Sequence, residues 1–325
     1  MRAAMFDATG PAAEVLRVVD LADPEPARGE VRVRLRTSGV NPSDCYARQG
    51  SGLPMAAAYQ IPGQDGGGEI DAVGEGVDPG VVGQRVWVYH AALGRSGGTA
   101  AQYVTVPAEQ AVPLPAEVGY TQAAGLGIPF MTAHRCLFAD GPIDGQDILV
   151  AGGAGAVGNA AIQLAKHAGA RVITTVSSSH KAEVARAAGA DEVIVDYTRS
   201  EVAGEIRALA PSGVHRLIEV ALDANLALDL DVLAPGGTVV SYARGRTDPV
   251  APLLRLMAGN VQLRFVLIYT TNAAALRHAV NDITEALHAD ALQPLPVVRH
   301  PLDDIAEAHD AVEASTFGKV IVDIP

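Results

Sequence analysis

Cysteine is scarce in this chain. Of 325 residues only Cys45 and Cys136 are cysteines, and they form neither a CxxC pair nor a disulfide framework. A disulfide-stapled scaffold is excluded, and two reduced thiols in a cytoplasmic protein are expected. No stretch of about 18 uncharged apolar residues occurs, so no membrane span is expected. The opening MRAAMFDATG has no apolar run behind Arg2 and does not read as a secretory signal. Positive charge is in the minority: 24 Lys and Arg face 37 Asp and Glu, a formal net charge of −13. Such a surface repels phosphate backbones, which argues against nucleic acid or an anionic membrane as partner. Internal repeats, low-complexity segments and long charge runs are also missing.

What is present is apolar residues at 49%, with 34 Gly and 20 Pro, the composition of an α/β chain with many tight turns. The length exceeds what one hydrophobic core usually fills, so two domains are expected. Residues 1–120 read as short strands: EVRVRL at Glu30–Leu35 alternates charged and apolar, and Glu69–Val73, Arg85–Tyr89 and Ala101–Val106 behave alike. Helical signals are weak there. From Thr121 the pattern changes to apolar strands alternating with Ala-rich helices, the signature of a doubly wound parallel sheet. Strands are expected at Asp147–Ala151, Arg171–Val176, Glu192–Val195, Arg216–Val220, Thr238–Tyr242 and Leu263–Tyr269. A long helix over Asn272–Ala289, another near Leu302–Ala314 and a strand at Lys319–Ile324 close the chain.

The segment DILVAGGAGAVGNAAIQLAKHAG places Gly153-x-Gly155-x-x-Gly158 between a strand and a helix. In that context the glycines are a dinucleotide fingerprint: one for the tight turn, one for approach to a pyrophosphate, one for helix–strand packing. Ala156, Val157 and Gly158 then open the helix, where free N–H groups meet phosphate oxygens. A cofactor with a free ribose hydroxyl usually meets Asp or Glu about 20 residues past the fingerprint. Here the second strand runs into Ser177-Ser178-Ser179-His180-Lys181, and the first acid is Glu183. Small hydroxyls followed by a lysine suit a 2′-phosphate, hence NADPH; the bland reading is a helix cap with a solvated lysine.

Several segments together resemble the zinc-independent quinone oxidoreductases, zeta-crystallin-like members of the medium-chain dehydrogenase/reductase superfamily. They are SGVNPSD (38–44), IPGQDGGGEIDAVGEGV (61–77), GQRVW (83–87), AAGLGIPFMTAHRCL (123–137), GADEVIVDY (189–197), LAPGGTVVSY (233–242) and the terminal FGKVIVDIP. The resemblance implies a GroES-like β-rich substrate domain over 1–120, completed by 270–325, and a Rossmann NADPH-binding domain over 121–269. It implies an active site in the cleft between them and a homodimer joined through the strand near Leu263–Tyr269. Residue by residue it puts Asn41 near the nicotinamide and Tyr46, in the same loop, at the substrate. It adds Thr132, Tyr242 and Ala243 to the cofactor set and makes Lys181 and Tyr197 the pair around the 2′-phosphate. The chain departs from the family pattern at Ala154, Ala156, Ala243 and Gln64.

Zinc-dependent alcohol dehydrogenases of the same superfamily ligate their catalytic metal with an early Cys and the His of a GHE segment. Asn41 and Gln64 stand at those places, the four-cysteine structural block is missing, and no metal is expected. Without a Lewis acid a conjugated acceptor is easier to reduce than a simple ketone, because charge spreads onto an oxygen that a donor such as Tyr46 stabilises. A small quinone or enone is therefore the expected substrate. Two further readings stay open: an enoyl reductase acting on an α,β-unsaturated ketone or thioester, and a non-catalytic NADPH-binding protein with a structural or RNA-binding role.

Overall fold

The computed structural model describes all 325 residues. The chain divides into two units, residues 1–128 with 294–325, and residues 129–293. The sequence placed the divisions at 120/121 and 269/270; the helix over 273–288 therefore groups with the second unit rather than with the tail.

The first unit opens with β1 (Arg2–Met5), α1 (Ala12–Val15) and β2 (Arg17–Asp20), β1 and β2 pairing antiparallel. There follow β3 (Glu30–Gly39), α2 (Pro42–Gln49), β4 (Asp65–Val73), β5 (Arg85–Val88), β6 (Tyr103–Pro107), β7 (Ala111–Pro113) and α3 (Tyr120–Gly125). The alternation in β3 sends Val31, Val33 and Leu35 into the core, as the sequence pattern requires. Helix α2 is a correction, because Tyr46 lies on it and not in a loop. Its signals are short-range: Asn41 at the N-cap, Pro42 in the first turn, Asp44 at the third position, and Gly50 at φ 78° beyond its end.

The second unit follows a wide turn of π-helix at Leu126–Phe130, where Pro129 supplies no N–H to the ladder. It runs α4 (Met131–Phe138), β8 (Asp147–Ala151), α5 (Ala156–His167), β9 (Arg171–Val176), α6 (Ser179–Ala187), β10 (Glu192–Val195) and α7 (Val202–Leu209). It continues with β11 (Val214–Glu219), α8 (Leu222–Val232), β12 (Leu233–Ser241), α9 (Leu253–Ala258), β13 (Gln262–Phe265) and α10 (Ala273–His288). All six strands are parallel, in the order β10-β9-β8-β11-β12-β13. Renumbered within the unit this is 3-2-1-4-5-6, the doubly wound dinucleotide-binding order. Pro235-Gly236-Gly237 lies inside β12. Pairing jumps from Val214↔Leu233 to Arg216↔Thr238, so the extra residues form a bulge. The last strand stops at Phe265, short of the expected Tyr269, and a single 3₁₀ turn at Ile268–Thr270 follows.

The chain returns to the first unit with β14 (Val297–Pro301), α11 (Ile305–Glu313) and β15 (Lys319–Asp323). The sheet there runs β14-β15-β3-β4-β5-β7, with β6 also on β3. Pairing of β15 with β3 brings the last residues of the chain beside Thr37, Ser38 and Gly39.

Candidate functional site

In the second unit every strand is parallel, so every strand ends on the same edge of the sheet. The expected cofactor residues follow those ends: the fingerprint after β8, Ser177 and Ser178 after β9, Tyr197 after β10, Tyr242 and Ala243 after β12. The chain leaves β8 toward β9 but leaves β11 toward β12, in opposite directions across the sheet. Between β8 and β11 lies the switch point at which such sheets bind dinucleotides.

The glycines divide their work differently from the sequence reading. The tight turn falls one residue earlier, at Gly152 with φ 71°. A Cβ on Gly153 would lie 2.1 Å from Thr174 Oγ1, and one on Gly158 would lie 2.4 Å from the Gly152 carbonyl oxygen. Both positions therefore serve helix–strand packing. A Cβ on Gly155 would meet only the Gly152 carbonyl, at 3.3 Å, so this is the open face that a pyrophosphate approaches. Gly155 caps α5, whose first N–H groups, on Ala156, Val157 and Gly158, have no partner within the helix. These features fit a dinucleotide.

Beyond β9, Lys181 Nζ donates to Ser177 Oγ at 3.0 Å, and Ser178 caps α6 by accepting from the Lys181 amide at 3.4 Å. Two hydroxyls and an ammonium are thus gathered where a ribose-binding acid would stand. Tyr197 is 40% exposed just past β10, next to Asp196 in the left-handed region at φ 58°. Thr132 is buried on α4. One group the sequence missed sits on the same sheet edge: Glu219 ends β11, accepts from the Ala221 amide and from Asn225 Nδ2, and is fully buried. Burial raises its carboxyl and that of Asp229 on α8, which faces it.

In the first unit a polar network surrounds Asn41, which is 3% exposed. Its Oδ1 accepts from Lys319 Nζ at 2.7 Å, and its Nδ2 donates to Asp65 Oδ2 at 2.8 Å. Lys319 also donates to the Val40 carbonyl at 3.1 Å, and its Nζ lies 3.7 Å from Asp65. The other oxygen of Asp65 accepts from the Ile128 amide at 2.8 Å, and Asp44 accepts from the Asn41 amide at 2.8 Å. Lys319, Asp65 and Asp44 were present in the quoted motifs: Asp44 is three residues from Asn41, pairing of β4 with β3 sets Asp65 beside Gly39, and pairing of β15 with β3 brings in Lys319 from the far end of the chain.

At the second zinc-ligand position of the alcohol dehydrogenases, Gln64 Oε1 accepts from the Ala92 amide at 3.2 Å. Two amides engaged with their own protein do not suit zinc, which takes thiolate, imidazole or carboxylate. Cys45 does meet a histidine, with Sγ 3.6 Å from His309 Nδ1. Burial pushes its thiol up to about 12 and His309 down to about 3, so both stay neutral and the contact packs α2 on α11. Tyr46, one residue on, is half-buried, and beside α2 a small open pocket is lined by Asp44, Met55, Gln60, Pro62, Gln64 and Ala92.

Residues 27–116 match the alcohol dehydrogenase GroES-like domain family, and residues 156–285 match the family described as zinc-binding dehydrogenase. The quinone oxidoreductase of Rattus norvegicus is 30% identical over 98% of this chain and 96% of its own length. The chain belongs to the quinone oxidoreductase family. The β-rich first unit is accordingly GroES-like, and the second is the Rossmann partner. Another quinone oxidoreductase, from Thermus thermophilus and solved also in complex with NADPH, is 29% identical. It matches with a TM-score of 0.82 over 99% of this chain and 100% of its own. An NAD-dependent alcohol dehydrogenase, also 29% identical, matches with a TM-score of 0.90 over 100% of both chains. Quinone oxidoreductases and alcohol dehydrogenases thus share this backbone, and substrate and cofactor follow from side chains.

Proposed function

We propose that this chain transfers a hydride from NADPH to a quinone or a similar small conjugated carbonyl, without zinc. The observation that carries the reading is the carboxyl edge of the Rossmann sheet. An open Gly155 heads α5, and Ser177, Ser178 and Lys181 stand together where an NADH-binding acid would be. The quinone oxidoreductase relatives support the acceptor class. The amides at Asn41 and Gln64 support the absence of zinc.

NADPH supplies the hydride. Ala156, Val157 and Gly158 hold the pyrophosphate with backbone N–H groups, Lys181 and the two serines hold the 2′-phosphate, and Tyr197 closes that pocket. Thr132, Tyr242 and Ala243 complete the cofactor surface. As the acceptor is reduced, charge develops on its oxygen, and the Tyr46 hydroxyl donates a hydrogen bond there. Asn41, whose amide is committed to Lys319 and Asp65, is a positioning residue: it fixes the start of α2, and Tyr46 lies one turn along that helix. The enzyme works as a cytoplasmic homodimer joined at β13, an edge strand that ends in exposed Phe265, is followed by exposed Leu267 and is preceded by exposed Leu254 and Met257 on α9.

The test is a panel of quinones, enones and enoyl thioesters offered with NADPH to chelator-treated protein. Rapid NADPH consumption with quinones is expected. Preference for enoyl thioesters would make it an enoyl reductase, tight NADPH binding with no turnover would make it a binding protein, and activity restored only by zinc would overturn the metal-free reading.

A further inference from the structure

Three metal-ligating side chains converge in the second unit, none of them among the residues proposed to hold NADPH or the acceptor. His278 and Asp282 are four residues apart on α10 and so share one face of that helix. His134, 3% exposed on α4, faces them. His134 Nε2 lies 2.7 Å from Asp282 Oδ2, and His278 Nε2 lies 3.2 Å from the same oxygen. The imidazole rings stand edge-on, 83° apart with centroids at 5.1 Å, and the donor atoms all lie within 4.8 Å of one another. Phe138 packs against the His134 ring at 4.7 Å.

We infer that His134, His278 and Asp282 form a divalent transition-metal site that clamps α4 to α10. Bonds of about 2.1 Å in tetrahedral geometry put donor atoms roughly 3.4 Å apart, a spacing that lies within the 4.8 Å spanned by these three donors. Two imidazole nitrogens and one carboxylate oxygen select zinc and its neighbours over calcium or magnesium, which prefer all-oxygen shells. The three ligands leave a fourth position for water, and His278, whose side chain is 62% exposed, gives the ion a path in. Both Nε2 atoms already approach one carboxylate oxygen, and a cation seated among them would hold all three donors. This site shares no residue with Asn41 or Gln64, the positions at which the zinc-dependent relatives bind.

The experiment uses tag-free, full-length protein stripped by a chelator. It is titrated with zinc chloride by calorimetry and with cobalt(II) by visible absorption. Expected are one ion per chain, cobalt bands of a four-coordinate site, and a thermal midpoint that rises with zinc because the ion binds only the folded state. His278→Ala is the decisive variant, since an exposed residue can be removed without unfolding the chain. It should weaken zinc by more than about tenfold, the loss that removing even a supporting partner produces at metal sites. It should also abolish the thermal shift while circular dichroism stays unchanged. Asp282→Asn should behave alike. No binding by the wild type, or equal binding by both variants, overturns the site.

Discussion

Tyr46 carries the chemistry at the acceptor, and its substitution by Phe removes one hydroxyl while keeping the ring. If that hydroxyl stabilises the developing oxyanion, Tyr46→Phe should lower kcat with little change in NADPH affinity. Loss of one such donor can cost roughly 3 kcal/mol of transition-state stabilisation. Steady-state kinetics on the best quinone decides it, and an unchanged kcat would reduce Tyr46 to packing. At this scale the sequence was legible wherever a residue acts with near neighbours: Ser177, Ser178 and Lys181 lie within one helical turn, and the structure joins them. It was opaque where a partner comes from the far end of the chain. Lys319 reaches Asn41 across 278 positions, and His309 reaches Cys45 across 264.

Helix α2 depends on a buried carboxylate in its first turn. Burial, and to a lesser degree the negative charge of Asp65, push the Asp44 carboxyl up to about 7, against the pull of the Asn41 amide and of Lys319. The unfolded chain, with an ordinary value of 3.8, loses that proton first. Between those values the folded state binds more protons than the unfolded one, so stability falls as pH rises through the window. Asp44→Asn keeps an oxygen for the Asn41 amide and removes the titration. Its urea midpoint should therefore fall less than that of the wild type between a buffer below and one above the window; parallel curves would contradict this. Helix α2 escaped the sequence reading because it is short and mostly polar, although Asn41, Pro42, Asp44 and Gly50 spell its start and stop. The strands of the second unit were legible because burial on both faces makes them continuous apolar runs. β13 was read too long because its apolar residues continue past the last ladder pair, Ser241↔Phe265.

Across the whole molecule, the fold class followed from the change of pattern near Thr121, since alternation of strands and helices admits few topologies. The divisions between units were harder to place: Pro294 and Pro296 mark a break after Gln293, but the sequence of α10 does not say which sheet that helix packs with. The exposed edge at β13 leads to a prediction about assembly. Phe265, 68% exposed, should be buried against a second copy, so light scattering should report a dimer for the wild type and a monomer for Phe265→Lys. A wild-type monomer at micromolar concentration would reject the shared edge.

The central claim is that this Rossmann unit selects NADPH and spends it on a quinone. Its most direct test is the rate of quinone reduction with NADPH and with NADH, for the wild type and for Lys181→Ala. A charge-assisted hydrogen bond contributes on the order of 1.5–3 kcal/mol, so losing Lys181 should raise the KM for NADPH about tenfold or more. The KM for NADH should hardly move, and the wild type should clearly prefer NADPH. Equal use of NADH by the wild type, or equal damage to both cofactors in Lys181→Ala, would show that Ser177, Ser178 and Lys181 only cap a helix.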